Sequence, residues 1–173
     1  GISRHLFVVN EGVKSGKWEK PIGTSLRNKT IALVGYGDIG QQIKKRLDVM
    51  GCNVVVYDPY CNSDELIVKE WPDGLGDCAF IVFCCALTEE NYHMLGEEII
   101  EGCKDGVGIV NVARGGLIDE MALIDGLKSG KVSSVALDVF ETEPLRGDSS
   151  LRDIDDCVFG THNSSNTKEA VVR

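Results

Sequence analysis

A doubly wound α/β domain, a parallel sheet between layers of helix, is predicted by three observations. Short apolar runs recur along the chain at 30–34, 53–57, 79–85, 107–112, 134–137 and 157–159. Several are apolar without alternation, the pattern of parallel strands buried on both faces. Between them lie stretches of helical length, 39–50, 89–100 and 120–129, with apolar residues three and four apart. The first run also ends in a glycine-rich turn that leads straight into the first of these stretches. Strand and helix in alternation imply right-handed βαβ units.

Taken in order, residues 1–20 stand apart. Leu6, Phe7, Val8 and Val9 are apolar, and 11–20 are polar with glycine, which predicts the end of a helix followed by a loop. The strand at 30–34 feeds a helix whose apolar face carries Ile39, Ile43, Leu47 and Met50. A strand at 53–57 follows, with a weak extra strand near 66–68. The run at 79–85 contains the adjacent Cys84 and Cys85. Next come the helix at 89–100, the strand at 107–112, the helix at 120–129 and the strand at 134–137. A charged loop over 145–156 precedes the last strand.

The length of 173 residues suits one domain, and 43% hydrophobic residues suffice for a core. No apolar run is long enough to span a membrane, and the first residues lack the layout of a secretory signal. A net charge of −9 argues against nucleic acid, whose binders present a basic face. The seven cysteines include no C-x-x-C pair and read as small buried hydrophobes in a reducing, cytoplasmic setting. No His, Cys or Asp cluster has metal-ligand spacing, so no metal is expected.

The turn after the first strand reads Gly35-Tyr36-Gly37-Asp38-Ile39-Gly40. Gly35 permits a tight turn, Gly37 lets backbone approach a pyrophosphate, and Gly40 lets helix and strand pack closely. The helix N-terminus offers free N–H groups and the positive end of its dipole. Asp58 ends the next strand, where a carboxylate accepts from ribose hydroxyls and repels a 2′-phosphate. NAD is therefore the expected cofactor.

Three later residues stand past strand ends, where open α/β sheets place their ligands. Arg114, just before Gly115-Gly116, has a planar fork suited to a carboxylate, although a surface ion pair accounts for it equally well. Glu143 and His162 could form a proton-transfer pair, the carboxylate fixing the imidazole tautomer. His5 and His93 are expected to be surface or core residues, His93 on a helix over 88–95.

These motifs together resemble the D-isomer-specific 2-hydroxy-acid dehydrogenase family. The likeness runs from about Trp18 to the end, through Gly35–Gly40 with Asp58, Leu87-Thr88, Asn111–Gly116 with Leu117-Ile118-Asp119-Glu120, Ala136–Phe140, Glu143-Pro144-Leu145 and Thr161-His162. The resemblance implies that Arg114 binds the substrate carboxylate, His162 is the acid–base and Glu143 orients it. It also implies that Asp38, Ile39, Asp58, Cys85, Ala86, Val112, Asp138 and His162 line the NAD site beside the glycines. A 2-hydroxy or 2-oxo acid is the implied substrate, and a homodimer the implied assembly. By the same likeness 1–20 is a remnant of an inter-domain helix and loop, 21–173 is the Rossmann-type NAD-binding domain, and a substrate-binding lobe lies elsewhere. Two prolines usual in the family are replaced, by Ala86 and by Thr161. The family also resembles some transcriptional corepressors, which leaves an NAD-responsive regulatory module as the alternative.

Overall fold

The computed structural model describes residues 1–61 and 63–171. Its strands are β1 (Thr30–Val34), β2 (Asn53–Tyr57), β3 (Ile67–Val68), β4 (Phe80–Phe83), β5 (Val107–Asn111), β6 (Val132–Leu137) and β7 (Cys157–Phe159). They pair in parallel throughout, in the order β3-β2-β1-β4-β5-β6-β7. The helices are α1 (Leu6–Lys14), α2 (Asp38–Val49), α3 (Glu97–Gly102), α4 (Glu120–Ser129) and α5 (Lys168–Val171). The doubly wound α/β fold is thus as predicted. Among the described residues no helix is long and apolar enough to cross a membrane.

Successive residues of β1 feed two cores. Ile31 and Leu33 pack with Val54 and Val56 of β2 beneath Ile43 and Leu47 of α2. Ala32 and Val34 face the other way, into a larger cluster with Phe83, Ile100 of α3 and Leu123 of α4. Burying each such side chain contributes about 1.5–3 kcal/mol. Helix α4 has clear ends: the Asp119 carboxylate accepts from Met121 N at 2.9 Å and Ala122 N at 3.1 Å, and Gly130 closes it at φ 81°.

The sequence reading fails mainly at 89–100. A helix begins there only at Glu97, and residues 90–93 form turns. Asn91 explains the difference. Its Oδ1 accepts from Thr88 N at 2.7 Å and its Nδ2 donates to Ala86 O at 2.8 Å, side-chain bonds that displace a helix ladder. His93 then takes a left-handed φ of 53°, and Leu95 pairs with Ile118 as an isolated bridge. Smaller shifts occur at α1, which runs on to Lys14, at β6, which begins at Val132, and at β4, which stops before Cys84.

Strand order reverses between β1 and β4. Connections from these two strands leave on opposite faces and open a crevice at the carboxyl edge of the sheet. The turn after β1 and residues 84–87 after β4 flank that crevice. The segments after β5, β6 and β7 continue along the same edge.

Candidate active site

The glycine turn is shaped as its sequence demands. Gly35 has φ 100°, and a Cβ on it would come within 2.7 Å of Cys85 N. A Cβ on Gly40 would run into the Gly35 carbonyl oxygen. At Gly37 a Cβ would meet nothing within 4 Å, so this is the open side of the turn. Gly37 also caps α2 without any side-chain hydrogen bond, which leaves the first amides of the helix for an incoming anion. Asp38 and Ile39 are exposed on that first turn. An open glycine, uncapped amides and a neighbouring carboxylate fit the pyrophosphate and ribose of a dinucleotide. Gly40→Val should weaken NADH binding by about 10- to 100-fold, because overpacking here costs about 1–3 kcal/mol and displaces the turn. Fluorescence titration of the variant checks this; unchanged affinity would show that the turn is not the binding element.

Asp58 has a second task that spacing does not reveal. Its Oδ2 accepts from Tyr36 N at 2.7 Å and its Oδ1 from Tyr60 N at 2.9 Å, so it braces the turn in addition to the ribose role expected of it. Each carboxylate oxygen retains a lone pair for a hydroxyl. Beneath the turn, the Cys84 thiol donates to Val34 O and Gly35 O at 3.4 and 3.2 Å. Burial pushes this thiol up to about 12, and burial raises Cys85 too, so both stay protonated packing groups. Ala86 is exposed, and Asn91 holds its carbonyl in place of the restraint a proline would supply.

Arg114 emerges after β5, exposed, with its Nη1 donating to Ala113 O at 2.6 Å. Its backbone is fixed by Asn111, which is 1% exposed. That side chain accepts from Ala113 N at 3.0 Å and donates to Arg114 O at 2.9 Å. Asn111 is a site residue that the sequence reading did not single out. A polar residue closing an apolar strand just before Arg114 was the available signal. Val112, between them, is half-buried.

Glu143 and His162 do meet. Glu143 Oε2 lies 2.8 Å from His162 Nδ1, and Glu143 Oε1 accepts from Phe140 N at 3.1 Å. The hydrogen bond to His162 is the main reason the Glu143 carboxyl is held below its usual range. An ionised Glu143 keeps the imidazole proton on Nδ1 and leaves Nε2 for a reacting oxygen. His162 sits at φ 56°, its N–H donating to Asp138 O at 2.7 Å.

The Asp138 carboxylate, 7% exposed, accepts from Asn163 N at 3.1 Å and Ser164 N at 2.9 Å. It therefore clamps the turn that carries His162, where the family's proline gives way to Thr161. Burial pushes Asp138 up, but its bonds to Ser164 and Asn163 outweigh burial and hold it below its usual range. A carboxylate depressed by folding stabilises above its unfolded pKa, about 3.9, and that contribution is lost as pH falls through the folded value. Asp138→Asn should therefore lower the melting temperature most at neutral pH, and the gap from the parent should narrow below about pH 4. Thermal unfolding from pH 3 to 7 checks it; a constant gap would remove the charge from the explanation.

The fold also gathers His93, Asp119 and Glu141, with ligand atoms within 4.8 Å of one another. These residues lie far apart in the sequence and meet because three loops converge, so their spacing gives no sign of the cluster. Glu141 Oε1 accepts from Glu120 N at 2.8 Å and Asp119 caps α4, so both carboxylates already serve backbone amides.

A seven-stranded parallel sheet with an open glycine cradle at its switch point defines a dinucleotide-binding α/β domain. A sequence profile described as D-isomer specific 2-hydroxyacid dehydrogenase, NAD binding domain, matches residues 1–164. The chain belongs to that family, as an NAD-binding domain. It is 39% identical over 174 residues to hydroxypyruvate reductase of Thermotoga maritima, covering 97% of this chain and 57% of that protein. It is 36% identical over 175 residues to D-3-phosphoglycerate dehydrogenase of Archaeoglobus fulgidus, covering 97% and 33%. A glyoxylate reductase structure from Paecilomyes thermophila superposes with a TM-score of 0.91 at 31% identity, covering 98% of this chain and 53% of that one. The chain thus spans from a third to somewhat over half of these proteins. All three are named as dehydrogenases or reductases, and the regulatory alternative gains no relative among them.

Proposed function

We propose that this domain serves an NAD-dependent oxidoreductase that interconverts a D-2-hydroxy acid and its 2-oxo acid. The observation that carries this is the 2.8 Å contact between Glu143 and His162 at the same sheet edge as the glycine cradle. NAD, when bound, accepts or delivers the hydride. His162 Nε2 takes the hydroxyl proton in oxidation and returns it in reduction, and Glu143 stabilises the imidazolium between those events. Arg114 receives the substrate carboxylate once its guanidinium leaves Ala113 O. Formate oxidation releases no hydroxyl proton and has no use for such a pair. The side chains of His162 and Glu143 are 47% and 37% exposed, which fits completion of the site by a second lobe outside 21–173, with 1–20 as the connecting segment. A homodimer in a cytoplasmic setting belongs to the same reading, and light scattering tests the assembly.

The direct experiment is an NADH-oxidation screen of the whole protein with a panel of 2-oxo acids. Turnover of at least one is the expected result. NADH binding without turnover of any would overturn the reading.

A further inference from the structure

Two loops carry the proposed chemistry, Arg114 on one and Glu143 on the other. Something has to set the distance between them. Gly115, next to Arg114, packs so tightly against the Phe140 carbonyl and Glu141 N that no Cβ fits. Phe140 N in turn holds Glu143 Oε1. The two loops therefore touch through backbone, and whatever fixes residues 140 and 141 fixes the spacing.

Glu141 ties this backbone to a neighbouring helix. Its N–H donates to Glu120 Oε1 at 2.6 Å, and its own Oε1 accepts from Glu120 N at 2.8 Å, a reciprocal tie to the N-terminus of α4. The same Oε1 lies 2.9 Å from His93 Nε2, an ion-pair distance without the alignment of a straight hydrogen bond. His93 Nδ1 lies 3.9 Å from Asp119 Oδ2, and His93 N donates to Gly116 O at 2.7 Å. One carboxylate thus joins the His93 turn, the Arg114 loop through that turn and α4, and the Glu143 loop.

We infer that Glu141 is a positioning residue for the proposed reaction, holding Arg114 and the Glu143–His162 pair at working separation through Glu120 and His93. This rests on the reading above. Glu141 lies two positions before Glu143 and away from the glycine cradle. Its loss should disturb the substrate acid and leave the cofactor alone. A positional error of about 1 Å costs up to about 100-fold in rate.

The test uses the whole protein, with parent, Glu141→Ala and Glu141→Gln compared. The Ala variant should lose about 10- to 100-fold in kcat/KM for the 2-oxo acid, through both kcat and KM, with the Kd for NADH unchanged. Glutamine keeps an oxygen for Glu120 N and should recover most of the loss. His93→Gln, which keeps the main-chain bond to Gly116, should show a smaller loss with the same split. Parent-like kcat/KM in Glu141→Ala overturns the inference while leaving the function intact. NADH affinity falling in step with turnover also overturns it, as the mark of general unfolding. A parent without turnover overturns both readings.

Discussion

His162→Ala in the whole protein should lower turnover of the 2-oxo acid by about 10²- to 10⁴-fold, the usual contribution of a positioned acid–base group. The affinity for NADH should fall far less than turnover, because His162 is one of several residues expected to line the cofactor site and the cradle at Gly35–Gly40 lies elsewhere along the sheet edge, after β1 rather than β7. His162 is held from three directions: Glu143 on the ring Nδ1, the Asp138 carbonyl on the backbone N–H, and the Asp138 carboxylate on the two amides that follow. Alanine removes only the ring and leaves that backbone clamp standing. Steady-state kinetics with a parallel NADH titration separate the effects. Turnover within threefold of the parent would sink the assignment of His162.

The second large effect is expected at Arg114. Truncating one partner of a hydrogen-bonded charge pair costs about 2–5 kcal/mol, mostly from stranding the other charge. Arg114→Ala should therefore reduce kcat/KM for the 2-oxo acid by about 30- to 5000-fold, chiefly by raising KM. Lysine should restore part of this, since it supplies the charge but not the two-pronged geometry. The present contact from Nη1 to the neighbouring Ala113 carbonyl is readily exchanged, because a carboxylate is the stronger acceptor. Kinetics of Ala and Lys variants with one substrate decide it. Equal KM in parent and Ala variant would return Arg114 to an ordinary surface residue.

Both expectations begin from residues that could be picked out before any fold was known, and the reason is physical. Buried parallel strands leave nearly continuous apolar runs, so β1 and β2 were legible to the residue. The glycine turn was legible because each glycine answers a steric demand that no other residue meets. The meeting of Glu143 with His162 was not, since nothing in a separation of 19 positions specifies a contact. The turn at 90–93 was misread because apolar spacing there mimics a helix, while the single side chain of Asn91 decides the outcome. Asn111 and Glu141 escaped notice for a related reason. Their importance lies in which backbone amides they reach, and that depends on loops from several strands converging.

The position of β7 carries a consequence for assembly. β7 is three residues long, pairs only with β6 among the described residues, and holds His162 just beyond its end. On its approach, His5 Nδ1 lies 2.9 Å from Asp156 Oδ1, across a separation of 151 positions. That segment is thus bound to residues 1–5 at the opposite end of the chain. Non-local pairing of this kind is slow to form, and weakly held edges open more readily than a core. The histidine proposed as the acid–base therefore sits on the part of the domain expected to open most readily.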